Sequence, residues 1–208
     1  MHIPDGFLDP FVSAATYVIF IAFALLAYRK MGKFDHEKMS IVVVLAAVIF
    51  AAQMLNWPIV GGTSLHLVGG ALAGMILGPY VGFAAMALVL VVQCLIFHDG
   101  GITALGANVL NMAIIDVLVG YAAYRALKDF GNRGALVGAF LGGWLGITLA
   151  GMAAGIEIGL SSSFEFGLEV AVPVMTAWHA ALGVIEGIIT AFVIAYLRTR
   201  ASFMVGGE

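Results

Sequence analysis

The sequence predicts an all-α, polytopic membrane protein of about seven transmembrane helices, forming a single transmembrane domain over residues 1–208. Three observations carry the prediction. Hydrophobic residues fill 62% of the chain and charged ones 10%, whereas a soluble domain carries about 25% charged residues and a polar skin. The apolar residues gather into runs of the length that crosses a bilayer, roughly 20 residues each. The nine Lys and Arg all fall on one side of the membrane when those runs are threaded through it. This composition leaves no room for a large soluble catalytic domain. The net charge of −3 and the lack of a basic stripe exclude nucleic-acid binding. The single Cys94 excludes a disulfide framework and a multi-cysteine cluster.

Taken in order, the runs extend from Leu8 to Tyr28, Met39 to Leu55, Leu65 to Leu77, Tyr80 to Phe97, Thr103 to Ala126, Gly134 to Ile156 and Val172 to Leu197. The first is expected not to be a cleavable leader, because Asp5 and Asp9 precede it where a signal peptide is basic and the run is long enough to span. The third is too short to cross comfortably. Gly78-Pro79 separates it from the fourth, so the two are expected as a tight helical hairpin. Arg29, Lys30, Lys33 and Lys38 follow the first run, Arg125, Lys128 and Arg133 follow the fifth, and Arg198 and Arg200 follow the seventh. Since cations stay cytoplasmic, the N-terminus is expected outside and the C-terminus inside. The outer segments are then Asn56 to Ser64, His98 to Ile102 and Glu157 to Ala171. Gly70, Gly74 and Gly78 in the third run and Gly134, Gly138, Gly142 and Gly146 in the sixth recur every four residues. That spacing lets helix backbones approach closely. Ala47 and Ala51 in the second run face either a neighbouring helix or a partner subunit.

The outer face holds the chemistry. The chain opens Met1-His2-Ile3-Pro4-Asp5-Gly6-Phe7. A His at position two aligns three nitrogens: the terminal amine, the His2 amide and the His2 imidazole, closing fused five- and six-membered chelate rings. Planar nitrogen ligation of this kind suits Ni(II) or Cu(II); otherwise His2 is a solvated residue near a terminus. His66 starts the third run on the same face and is either a fourth nitrogen ligand or a core His bonded to a carbonyl. In the stretch His98-Asp99-Gly100-Gly101 through Asn108 to Asn111, His98 and Asp99 are either entry ligands or solvated. Asn108 and Asn111 share a helical face and either support the ligands and the N-terminal segment or pack helices. Within the membrane, Asp116, His179 and Glu186 are costly groups and mark functional candidates; a supporting role is preferred to direct ligation.

The opening MHIPDGF, the GGTSLHLVGGALAG stretch around His66, the DGGITALGANVLNMA stretch and HAALGVIEGIIT together resemble the CbiM/NikM family, the substrate-binding membrane subunits of energy-coupling-factor importers for cobalt and nickel. The resemblance runs from Met1 through the seventh run. It implies an ion held by the Met1 amine, the His2 amide and imidazole, and the His66 imidazole, with Ni2+ or Co2+ as transported substrate. The implied partners are a transmembrane coupling subunit, ATPase subunits and a small accessory membrane subunit, all at the cell membrane. With no GxxxxGK[ST] loop in the sequence, ATP hydrolysis is expected to fall to other chains, and the accessory subunit, which would need further passes after the seventh run, is expected as a separate chain. The expectation is therefore a transporter subunit and not an enzyme. Two rivals are an intramembrane metalloenzyme, weakened by the absence of HExxH, and a membrane scaffold without its own substrate, which does not account for the outer His, Asn and Asp.

Overall fold

The computed structural model describes residues 1–32 and 36–204; Lys33, used above for orientation, lies outside the described residues. Helix α1 (Pro10–Lys30) is started by Asp9, whose Oδ1 accepts the amides of Phe11 and Val12 at 3.0 Å each. Pro10 stands at the first helical position, where its missing N–H costs nothing. Helix α2 (His36–Gln53) follows, and then the backbone leaves helical geometry altogether. Two-residue strands β1 (Trp57–Pro58) and β2 (Ser64–Leu65) pair antiparallel, Trp57 against Leu65 and Pro58 against Ser64.

Helix α3 (Gly70–Val92) starts only at Gly70, so His66 does not open a helix as the sequence suggested but sits in extended chain. The helix breaks at Gly78, where φ is 79° and ψ 174°, and Pro79 begins the next turn. A Cβ placed on Gly82 would lie 3.0 Å from the carbonyl carbon and oxygen of Ala73. In an uninterrupted helix residues nine apart are separated by about 13.5 Å. The chain therefore turns back at Gly78, as expected for a hairpin at Gly78-Pro79. The second arm ends in a π turn, Gln93–Phe97, stopped by His98 in the left-handed conformation (φ 55°). Helix α4 (Leu105–Val109), a π turn (Leu110–Ile115) and α5 (Asp116–Leu127) then run on without a break in helical backbone. Helices α6 (Gly131–Leu160) and α7 (Leu168–Arg200) complete the bundle. Glu157, expected in an outer loop, lies inside α6 and is buried, because the apolar run continues past it to Leu160.

Among the described residues, five stretches are long and apolar enough to cross a membrane, and the apolar part of α2, Met39–Gln53, is shorter. Their outer surface is apolar: Phe11 is 82% and Phe192 72% exposed, with Val18, Ile21, Val43, Val44 and Val48 also uncovered. Water does not tolerate a surface like that over so many helices. A bilayer does.

Inside, small residues set the spacing. Cβ atoms on Gly138, Gly142 and Gly146 would meet the carbonyl oxygens of Ala123, Gly120 and Asp116 on α5 within 3.3 Å. The face of α6 carrying Gly143, Gly151 and Gly155 meets Gly187, His179 and Ala171 of α7 equally closely. Two glycine faces on one helix thus seat α6 between α5 and α7. Ala47 and Ala51 point outward from α2. The ends of the bundle differ in charge. At one end Arg198 reaches Asn132 and Tyr124; at the other Asp5, Asp9 and Asp99 tie down the N-terminal segment.

Candidate metal centre

The N-terminus is threaded into the bundle. Met1 and Ile3 are fully buried and His2 is 4% exposed. The Met1 amine donates to the carbonyl oxygen of Ser64 and, at 2.7 Å, to its Oγ. Asn108 grips the Ile3 backbone at both its polar groups: its Oδ1 accepts the Ile3 amide at 2.8 Å and its Nδ2 donates to the Ile3 carbonyl at 3.1 Å. The Gly101 amide reaches the same carbonyl at 2.9 Å. Further along, Asp5 Oδ1 accepts from the amide and hydroxyl of Thr103. Asp9 Oδ2 accepts the amide of Ser162 at 2.9 Å while its own amide donates to Ser161 Oγ. A terminus anchored at four points is built into the fold, not frayed from it.

These anchors bring His2 onto His66. The two rings stack with centroids 4.6 Å apart and planes 27° apart. His66 is wholly buried. Its Nδ1 lies 2.8 Å from the Leu67 carbonyl, and since a carbonyl only accepts, Nδ1 carries the proton and Nε2 presents a lone pair. That Nε2 is buried without a hydrogen-bond partner among the described residues. On His2, Nδ1 lies 2.9 Å from Asp99 Oδ1, and Asn56 holds the other Asp99 oxygen. Burial, opposed by the charge of Asp99, pushes the Met1 amine well below its ordinary pKa of 8.0. His66 is lowered by burial and then by the neighbouring amine and His2 charges, and His2 mainly by burial. Buried, neutral nitrogens are the form that binds metal.

The chain leading to His66 runs down α7. Gly61 would touch Val170 through a Cβ, Gly62 would touch Met175, and Thr63 Oγ1 faces the Met175 sulfur. About three turns further along α7, Glu186 takes the amides of Val68 and Gly69 at 2.8 and 2.7 Å. Gln53 donates to the Val68 carbonyl and Asp116 accepts the Ala71 amide. Non-helical backbone at membrane depth survives only where its polar groups are met by protein, and Glu186, Gln53 and Asp116 do this. Glu186 and His179 do not pair with each other: the His179 ring sits on Gly151, its Nδ1 on the Met175 carbonyl. Its Nε2 is buried without a partner.

Asn111 reaches not a His but Glu157, at 2.6 Å. His98 is exposed and, with Cys94 and Asp5, lines a separate cavity of about 120 Å3. Of the candidates, the fold thus gathers Met1, His2, His66, Asn108 and Asp99; Glu186 acts on the backbone beside His66, His179 stands within electrostatic reach of the Met1 amine and His66, and Asn111 and His98 make their contacts elsewhere. The sequence reading missed Ser64, whose oxygens meet the amine, and Gln93, buried beside His2. Gln93 had a legible signal: an amide inside an apolar run. Among the described residues no three His, Cys, Asp or Glu side chains assemble as a metal site; the nitrogens here are two imidazoles and main chain.

Residues 2–203 match the model of the CbiM family, described as the cobalt uptake substrate-specific transmembrane region. The chain belongs to the CbiM family. It is 59% identical over 197 residues to a protein of Archaeoglobus fulgidus that carries the provisional name fused nickel transport protein NikMN, covering 95% of this chain and 65% of that relative. A Haloquadratum walsbyi protein, provisionally named a metal transport protein, is 45% identical over 99% of this chain and 93% of its own. In three dimensions the CbiM-family chain superposes on the crystal structure of a truncated transition-metal transporter with a TM-score of 0.90 and 35% identity, covering 96% of this chain and 99% of the other. It is a multi-pass membrane protein of a metal-transport family.

Proposed function

We propose that this protein captures Ni2+ or Co2+ from outside the cell membrane as the substrate-binding subunit of an ATP-driven, energy-coupling-factor importer. In this reading the chain crosses the membrane seven times, with the N-terminus outside. The ion is held by the Met1 amine, the His2 amide and imidazole, and His66 Nε2. Its partners are a transmembrane coupling subunit, ATPases and a small accessory membrane subunit. The relative from Archaeoglobus fulgidus is named for nickel and the family for cobalt uptake, and a planar nitrogen set suits Ni(II) better.

One observation carries the reading: a buried N-terminal amine delivered next to two stacked imidazoles, one with a bare Nε2. Two imidazoles bound cis to one ion at metal–nitrogen distances of about 2 Å place their centroids roughly 4–5 Å apart, and the observed 4.6 Å fits. Burial of all three residues keeps competing water away, so ion entry and release both need movement. The reading assigns the release movement to the partner subunits and their ATPases. Gathering of Arg125, Arg133, Arg198 and their neighbours at the end opposite His2 supports the orientation.

The test is metal titration of His66→Ala and His66→Gln in detergent. Wild type is expected to bind one ion per chain tightly and both variants to lose tight binding. Because His66 is fully buried, each variant is checked for a monodisperse fold. Stoichiometric tight binding by a folded His66→Ala protein would overturn the ligand set.

A further inference from the structure

The stacked imidazoles are walled off from water: His2 is 4% exposed and His66 not at all. An arriving ion must therefore pass through a wall of the fold. A cavity of about 120 Å3 lies between Pro4 and Asp5 of the N-terminal segment and Cys94, His98, Gly100 and Gly101 of the turn that faces it. It shares one wall with the metal centre, and that wall is a single residue thick. A Cβ on Gly100 would lie 3.8 Å from Cβ and Cδ2 of His2 and 2.9 Å from Asn108 Nδ2. One residue earlier, Asp99 Oδ1 lies 2.9 Å from His2 Nδ1. Gly100, at φ 91°, thus has the cavity on one side and the His2 ring on the other.

The cavity suits a divalent transition-metal ion that still carries water. One water needs about 10–15 Å3 of such space, so this volume admits an ion with several. The lining supplies the His98 imidazole, a donor that favours transition metals over Mg2+ and Ca2+, and the Asp5 carboxylate. His98 is exposed and turns the chain in the left-handed conformation, φ 55°. Asp5 is fixed by Thr103, whose amide and hydroxyl both bond its Oδ1. Residues 1–9, 56–64, 98–102 and 157–171, which meet at this end, carry Asp5, Asp9, Asp99, Glu157, Glu165 and Glu169 but no Lys or Arg. A cleft lined by one sign of charge concentrates ions of the other.

This inference deepens the capture reading above and rests on it. We propose that the cavity is the antechamber of the metal centre, where His98 and Asp5 hold the incoming, partly hydrated Ni2+ or Co2+ before it passes the Asp99–Gly100 wall to His2. The ion sheds its water in two stages, first against an imidazole and a carboxylate, then against the buried nitrogens. An ion leaving outward from the isolated protein retraces the same route. His98 is no ligand of the final centre, so it sets the rates of loading and loss and not the ratio between them.

The test uses the full chain in detergent with Ni2+ alone, comparing wild type, His98→Asn and His98→Asp. Asn and Asp both tolerate the left-handed backbone and have nearly the same shape, but only Asp brings a charged ligand. Rapid mixing, followed by the absorbance of the bound ion, gives the loading rate, and a chase with excess EDTA gives the rate of loss. His98→Asn should slow both about tenfold, the lower end of what a focusing cleft adds to an on-rate, and leave Kd unchanged. His98→Asp should restore both rates. Should His98→Asn not be recovered as folded protein, His98→Gln supplies the same comparison. Wild-type rates in the folded Asn or Gln variant overturn the proposal. So does a weakened Kd with faster loss, which would put His98 in the final centre, and so does a failure of His98→Asp to rescue the rates. An N-terminal extension that leaves Ni2+ affinity unchanged fails the chelate reading, whereas wild-type rates in His98→Asn fail the antechamber alone.

Discussion

Asn108→Ala tests whether the N-terminal clamp serves the metal centre or the fold. The wild-type side chain makes two hydrogen bonds to one residue, at 2.8 Å from Ile3 N and 3.1 Å to Ile3 O, and is 2% exposed. The substitution leaves the Ile3 carbonyl bonded to Gly101 N but strands the Ile3 amide in a buried site. A stranded buried donor costs about 1–3 kcal/mol. That cost falls on residues 1–4, since Asp5 and Asp9 keep their anchors to Thr103 and Ser162. The docked N-terminus is therefore disfavoured by that amount, and at about 1.4 kcal/mol per decade metal affinity drops roughly 5–100-fold. Asn108→Asp, which keeps an acceptor for the Ile3 amide, should lose less. Calorimetric titration with Ni2+ and Co2+ measures the affinities, and melting of the metal-free protein measures the fold. Undiminished affinity in Asn108→Ala, or a melting loss as large as the binding loss, would refute the reasoning.

The pH dependence has a definite sign. Burial lowers the pKa of the Met1 amine well below 8.0 and those of both imidazoles below 6.5, so all three are unprotonated near neutrality and release nothing on binding. The His2 amide alone gives up a proton, so affinity should rise about tenfold per unit between pH 7 and 8; potentiometric titration finding two protons released there would contradict this. Protonation of the centre competes with the ion only once the pH falls below the lowered values of the amine and imidazoles, and affinity should then fall more steeply. Gly74→Ala would place a Cβ 2.4 Å from the Val117 carbonyl oxygen, which is backbone and cannot move aside. It should destabilise by about 1–3 kcal/mol in detergent melts, whereas Gly32→Ala, with open space around it, should not.

The apolar helices were legible because lipid imposes length and composition on each run separately, and the Gly78-Pro79 break because a positive-φ residue followed by proline is local chemistry. Small-residue spacing in α6 was legible too, though not that Gly138, Gly142 and Gly146 would meet α5. What the sequence hid depends on distant partners. His66 reads as the start of a helix until Glu186, 118 residues after Val68, is seen bonding the amides that keep the chain extended to Gly69. Glu157 reads as a loop residue because charge ends an apolar run on paper, whereas in the fold Asn111 meets it inside α6. The clustering of Met1, His2 and His66 was expected from the outer face they share and from family resemblance. The depth of the cluster was not expected, since only the anchors at Asn108, Thr103 and Ser161 pull the N-terminus below the surface.

The central claim is that the N-terminal amine itself binds the ion, and the most direct measurement compares Ni2+ affinity for protein beginning at Met1 with protein extended by a few residues. The extension turns the amine into an amide and breaks the five-membered ring while leaving His2 and His66 in the sequence. It must also displace the amine from the Ser64 oxygens in a fully buried position. Loss of one ligand from the plane is expected to weaken binding about a hundredfold or more, or roughly 3 kcal/mol and upward. Equal affinity for the two forms would contradict the account.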